Sequence, residues 1–238
     1  LSLGADQLYE AGHSTHSFAP LFGAAAAAGT LARLGADQVR WLLSYTAQQA
    51  SGVNCWARDE GHVEKAFDFG GMPARNGVGA ATMVAAGFTG VDDVFTGPRN
   101  FFFAFSPQPR LELLIDGLGS RFEIMATNIK KWSVGSPIQA ALDSTQALIE
   151  EHGLEAAGIQ RIRVLMSDKE SHVVDNRAMP DINLQHLLSL LVLDGGLTFL
   201  SSHDYDRMQD AEVLKFRERI ELVADPNLPR RQPVVEIG

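Results

Sequence analysis

The chain has 238 residues, 45% of them hydrophobic, and sets 20 Lys and Arg against 29 Asp and Glu for a formal charge of −9 and an isoelectric point near 5.2. A single cysteine, Cys55, excludes both disulfide staples and an iron–sulfur cluster held by cysteines, which needs roughly three or four thiols. The acidic balance argues against general affinity for nucleic acid or an anionic membrane, because both are met by a cationic surface.

The length accommodates one large domain or two small ones, and cysteine usage makes the cytoplasm the expected compartment. No stretch approaches the ~18 uninterrupted apolar residues of a spanning helix. Leu21 to Ala28 is broken by Gly23, and Leu187 to Leu193 by Ser189. No membrane segment is expected. No basic region followed by an apolar run opens the chain, and Leu1 to Tyr9 reads as the tail of a helix. Pro233 to Gly238 reads as a strand with no partner after it. These features predict an internal fragment of a longer protein.

From Leu21 to Gly90 the chain is rich in Ala and Gly with helical spacing. One helix is expected from about Leu21 to Leu34, closed by Gly35, and a second from the cap-like Asp37 to about Ser51. A third follows Pro73, a residue suited to a first helical turn, and ends at Gly87. Small residues on these helices let their axes approach closely, so a compact helical bundle is expected. Thr96 to Leu111 reads as a connector, with Gly97-Pro98, the aromatic run Phe101 to Phe103, and Ser106-Pro107-Gln108-Pro109.

Beyond Ser120 the texture changes. Phe122 to Ile129 reads as extended, Pro137 to His152 as helix, and Ile159 to Met166 as an alternating strand with Ile162, Val164 and Met166 on one face and Arg161 and Arg163 on the other. Ile182 to Leu193 is a further helix, and Ile220–Val223 and Val234–Ile237 complete a small sheet. The fold class read from this order is mainly α with an α+β part: an all-helical domain over residues 1–119, then a smaller, incomplete α+β domain over 120–238.

Three clusters are able to carry chemistry. Ala11-Gly12-His13-Ser14-Thr15-His16-Ser17 precedes an Ala-rich helix; its histidines suit proton transfer or anion binding, a capping role, or metal ligation that lacks an evident third ligand. Arg58 to Gly77 gathers Lys65, His62, Arg75, Asn76 and aromatic residues around Gly70-Gly71. It reads either as an anion pocket at the N-terminus of the third helix or as a charged turn with a helix cap. Asn128 to Gln139 hands Lys130, Lys131 and Trp132 to a Gly-Ser-Pro helix start, where a lysine serves as base, carboxylate clamp or surface charge. Asp175 to Asp181 reads as a cap for the following helix or an added anion contact, and His203 to Met208 as a loop held by its own polar pairs or an acid/base or metal turn. Gly77-Val78-Gly79 lacks the third glycine and preceding strand of a dinucleotide fingerprint, and no Gly-x-Ser-x-Gly elbow supports a serine nucleophile.

Taken in order, Gly12-His13-Ser14-Thr15, Glu64-Lys65 leading into Gly70-Gly71-Met72-Pro73-Ala74-Arg75-Asn76-Gly77, Gly87-Phe88-Thr89-Gly90, and Ile129-Lys130-Lys131-Trp132 resemble the MmgE/PrpD family. That family includes 2-methylcitrate dehydratases, cis-aconitate decarboxylases and iminodisuccinate epimerases. The resemblance implies a helical domain carrying a smaller α+β domain, a site between them, and a homodimer. It implies His13, Lys65 and Lys130 as catalytic residues; Arg75, Asn76 and Gln139 beside them are the expected substrate-binding residues. Gly135 stands where some members place a His or an acidic residue.

The implied activity is a lyase needing no cofactor and no metal, acting on a small di- or tricarboxylate by proton abstraction beside a carboxylate and loss of water. Abstraction builds an enolate-like dianion, so a base must face carbon and cations must face the developing charge. An epimerase or decarboxylase on a related acid, and a non-catalytic carboxylate-binding or dimerisation module, are the alternatives.

Overall fold

The computed structural model describes residues 5–238, so the part of the Leu1–Tyr9 helix expectation that precedes Ala5 lies outside the described residues. The chain forms two compact units, Leu1–Met125 and Ala126–Gly238. Its fold is mainly α, with an α+β part around a small mixed sheet. Among the described residues no helix is long and apolar enough to cross a membrane.

The first unit opens with α1 (Ala5–Glu10), α2 (Phe18–Leu31) and α3 (Ala36–Gln48). Gly35 starts α3 in an extended conformation, and its N–H donates to Gln38 Oε1 at 3.0 Å. The short α4 (Val63–Ala66) runs through a π-turn at Phe67–Gly71 directly into α5 (Met72–Ala85). The break expected before Pro73 is therefore a widened turn inside one continuous helix. Proline has no N–H to close onto the carbonyl four residues back, and its ring collides with that carbonyl in a regular α-turn. A π-turn relieves both, and the Met72 N–H closes onto the Phe67 carbonyl.

Helices α2 and α5 pack closely because small residues line their seam. Ala25, Ala80, Ala81 and Val84 form one core with Leu42 of α3. At Gly77 a β-carbon would lie 2.5 Å from the Leu21 carbonyl oxygen and 2.7 Å from the Ala25 nitrogen, so only glycine fits. The expected connector Thr96–Leu111 instead contains α6 (Phe101–Phe105), capped by the Asn100 side chain accepting from the Phe103 N–H at 2.9 Å. Phe101 and Phe102 are buried with Phe18 and Ala47, so this aromatic run is core rather than linker. Its helical turn has only five residues, too few for periodicity to reveal.

Residues 122–129 correct a second expectation. They form a 3₁₀ turn at Glu123–Ala126 and irregular backbone, with Phe122, Ile124, Met125 and Ile129 exposed. β-Branched and aromatic composition favours a strand only where a neighbouring strand completes its hydrogen bonds, and the sheet order includes none here.

In the second unit a 3₁₀ turn at Ser136–Ile138 leads into α7 (Gln139–His152), which ends at left-handed Gly153. Then come β1 (Ile162–Ser167), α8 (Asp168–Val174), α9 (Leu184–Leu193), α10 (Phe199–Ser202), α11 (Ala211–Arg217), β2 (Ile220–Asp225) and β3 (Val234–Ile237). The sheet order is β2-β1-β3, with β1 parallel to β2 through the helical crossover and antiparallel to β3. Strand β3 thus has its partner far upstream, in β1, which sequence order does not reveal.

Ile162, Val164 and Met166 are fully buried against Leu142, Leu187 and Leu188. The opposite face carries a cross-strand charge ladder: Arg161 pairs with Glu221, and Arg163 reaches Glu236 at 3.2 Å and Glu221 at 3.8 Å. This is the alternation expected for a strand with one covered face.

Helix α9 is capped by Asn183, whose Oδ1 accepts from the His186 N–H at 2.9 Å; the cap is this residue rather than the upstream Asp175–Asp181 stretch. His186 itself is 0% exposed, and neither ring nitrogen has a hydrogen-bond partner among the described residues. Burial first, then the charges of Arg217 and Arg207, push its pKa down to about 4. The His203–Met208 segment is tied partly by its own groups, Asp204 accepting from the Asp206 and Arg207 N–H groups, and partly by residues outside it, Arg207 binding Asp194 at 2.7 Å and Asp210 at 3.0 Å.

Candidate active site

The turn before α2 is fastened to the segment before Asn54 by backbone hydrogen bonds. Gly12, at φ +90°, turns the chain so that its carbonyl accepts from the Asn54 N–H at 3.0 Å while the Ser14 N–H donates to the Gly52 carbonyl at 3.0 Å. His13 thereby forms a β-bridge with Val53. Two buried serines complete the knot. Ser14 Oγ donates to the buried Asp68 carboxylate and accepts from Trp56 Nε1 at 3.2 Å, while Ser17 Oγ lies against the Ser14 and Ser51 carbonyls. Gly52, at φ +124°, has no room for a side chain, since a β-carbon would meet Ser17 Oγ at 2.6 Å and Asp68 Oδ1 at 2.8 Å.

The segment containing Lys65 starts at His62, a non-glycine residue at φ +55°. Asp59 accepts from the N–H groups of Gly61, Glu64 and Lys65, so the charged turn read from the sequence caps α4. The anion pocket expected at free N–H groups before α5 is not formed in that way, because the continuous helix leaves no terminus at Met72. Another arrangement appears in its place.

The π-turn carries Phe69 onto the histidine turn. The Phe69 ring stacks on His16 with centroids 4.1 Å apart and planes 5° from parallel, and meets Trp56 edge-on at 4.7 Å. Trp56 also meets His16 edge-on at 5.7 Å. Lys65 Nζ lies 5.8 Å from the Trp56 ring and 5.7 Å from the Phe69 ring, distances at which an ammonium is attracted to aromatic faces. His16 remains open to solvent on its free side. Its pKa is lowered, chiefly because the aromatic walls exclude water, with Asp68 opposing and Lys65 reinforcing that shift. Its resting form at neutral pH is the uncharged imidazole, able to accept a proton.

The other residues singled out from the sequence fall in distinct places. His13 is half-buried, and its ring meets Phe105 edge-on at 5.9 Å, beside the aromatic core of Phe18 and Phe101. Arg75 is exposed over the Phe67 ring at 5.9 Å and donates to Asn76 Oδ1 at 3.2 Å, so these two form a pair on the surface of α5. In the second unit, Lys130 Nζ donates to the Val134 carbonyl at 2.9 Å. Gln139 accepts from the Trp132 N–H at 3.1 Å and donates to the Trp132 and Val134 carbonyls at 2.9 and 3.3 Å. Its amide therefore orders the loop on which Lys130 closes. Lys131 is committed to Asp143, Gln146 and the face of Trp132.

The sequence model of the MmgE/PrpD N-terminal domain matches residues 4–114, and that of the MmgE/PrpD C-terminal domain matches residues 132–237. The chain belongs to the MmgE/PrpD family. No curated protein matches it. MmgE/PrpD members are commonly enzymes, and the family includes those resembling 2-methylcitrate dehydratase. Within the first unit, the motif residues of this MmgE/PrpD chain bring together Lys65, Asp68 and Phe69 with His16 and Trp56. Asp68 and Phe69 lie three and four residues after Lys65, one helical turn away, and that spacing was the available signal for a shared face. Trp56 carried no such signal, because its contacts are made across the fold.

Proposed function

We propose that this chain is a lyase of the 2-methylcitrate dehydratase type, acting without a cofactor on a small di- or tricarboxylate. The reading rests on one observation: an ammonium, Lys65, held over aromatic rings beside a solvent-reachable, uncharged imidazole. A substrate carboxylate seated at Lys65 would place its neighbouring carbon within reach of a proton acceptor, and the cation would oppose the charge of the enolate. The family resemblance points to His13, Lys65 and Lys130 as residues of the site, with Arg75 a further cation for binding. Family membership and the presence of a single cysteine support a cytoplasmic homodimer as the working form.

The test is to incubate the full-length protein with hydroxy- and amino-di- and tricarboxylates in deuterated water. Dehydration yields an unsaturated acid followed by ultraviolet absorbance, epimerisation yields only carbon-bound deuterium, and decarboxylation releases CO₂. Loss of turnover in folded Lys65→Ala and His13→Ala variants is expected. Unchanged turnover in both would remove these residues from the mechanism.

A further inference from the structure

We propose that His16, rather than His13, is the histidine that moves the proton in this site; the inference rests on the dehydratase reading above and names its acid/base group. The two histidines sit on one turn but meet different surroundings. The His13 ring faces Phe105 at the edge of the aromatic core, whereas His16 lies on the two rings that also carry Lys65. The turn holds His16 from both sides, because Ser14 is anchored to Asp68 and Ser17 to the Ser51 carbonyl. Stacking on Phe69 fixes the ring plane and leaves the opposite face to a ligand. Such prior positioning is what a proton acceptor needs, since a misplaced base loses much of its effect.

The charged groups that act on His16 are Asp68 and Lys65. Exclusion of water, reinforced by Lys65, lowers the ring's pKa against the opposing pull of Asp68; Asp68, buried one helical turn from Lys65, stabilises the imidazolium once it forms. In the reaction the C–H bond beside the carboxylate breaks, its proton passes to a His16 ring nitrogen, and its electron pair enters the enolate opposed by Lys65. The pair then forms the carbon–carbon double bond as the β-hydroxyl leaves. His16 returns its proton to that hydroxyl, which departs as water, and the imidazole is neutral again. Nothing else is consumed.

The experiment uses the full-length protein with His16→Gln and His13→Gln variants. His16→Gln is expected to lower kcat by about 10²–10⁴-fold with a smaller effect on KM, and to abolish the acid limb of kcat/KM. In His13→Gln that limb stays in place whatever happens to kcat. A His16→Gln enzyme with wild-type kcat, or a limb removed by His13→Gln alone, overturns the inference. A second measurement needs no turnover: the ring resonances of His16, assigned by their absence in His16→Gln, are titrated with and without citrate. Citrate is expected to move them and raise the apparent pKa, and Lys65→Ala to abolish that response; unmoved resonances overturn the inference. If no acid is turned over by the wild type, the dehydratase reading falls and proton transfer by His16 with it, while the citrate response decides whether a carboxylate site beside His16 survives.

Discussion

Replacing Gly77 with alanine tests the close approach of α2 and α5 directly. The new β-carbon would sit 2.5 Å from the Leu21 carbonyl oxygen, 2.7 Å from the Ala25 nitrogen and 3.0 Å from the Ala24 β-carbon. These distances are about 1 Å short of an ordinary contact near 3.5 Å, and the two nearest atoms are main-chain, so no side chain can swing aside. The helices must separate along a seam of alanines. Overpacking costs about 1–3 kcal/mol, and main-chain obstruction places this case at the upper end. Alanine recovers about 1 kcal/mol of helix propensity, leaving a net loss of about 2 kcal/mol. Gly79, two residues along the same helix, has nothing within 4 Å of its β-carbon, so Gly79→Ala should instead stabilise by up to about 1 kcal/mol. Urea titration followed by near-ultraviolet dichroism, which reports Trp41 and Trp56 of the first unit together with Trp132 of the second, gives both values. At roughly 4 °C per kcal/mol, Gly77→Ala lowers the melting temperature by roughly 8 °C. Two substitutions of the same sign, or a Gly77→Ala protein as stable as the wild type, would refute the reasoning.

Three further outcomes follow from buried and half-buried polar groups. His186 has a folded pKa lowered to about 4 against 6.5 for the free side chain, so the unfolded chain binds the extra proton between those values. Its contribution to stability is complete above pH 6.5 and declines as pH falls to about 4, by about 1.4 kcal/mol per pH unit and about 3 kcal/mol in all. His186→Leu should flatten the pH dependence of the second unit's stability over that window, and an unchanged slope in urea titrations would count against the assignment. Ser14→Ala strips a hydrogen bond from the buried Asp68 and the acceptor from Trp56 Nε1, and should destabilise the first unit by about 2–3 kcal/mol in the same assay. No measurable loss would mean the knot is not held by this hydroxyl. Gln139→Leu frees the Trp132 amide, whose hydrogen exchange should quicken at least tenfold as about 1–2 kcal/mol of local hydrogen bonding is lost; protection equal to the wild type would show that the loop orders itself.

Much of the fold was legible because its long elements carry clear periodicity. Helices α2, α3, α7 and α9 and all three strands lie within a few residues of where apolar spacing places them. The alternation at Ile162, Val164 and Met166 reports which face is covered because successive strand side chains point to opposite sides. Short or context-dependent segments were not legible. Phe101–Phe105 has too few residues for a period, and Phe122–Ile129 has strand-like composition without a neighbouring strand. The helix break read at Pro73 became a π-turn because a continuous helix retains its hydrogen bonds by widening rather than ending.

The sequence by itself determined the family, the helical and α+β textures, and the presence of Lys65 in a family motif, since all of these reside in residue identity and local spacing. Only the tertiary structure decided which histidine stands beside that lysine. Stacking of His16 on Phe69 and the edge of Trp56 joins three segments far apart in the chain, through the turn geometry of Gly12 and Gly52 and the extra residue of the π-turn. Contacts of this kind depend on where a rigid helix directs its side chains in space, and one residue of helical widening turns each later side chain to a new direction.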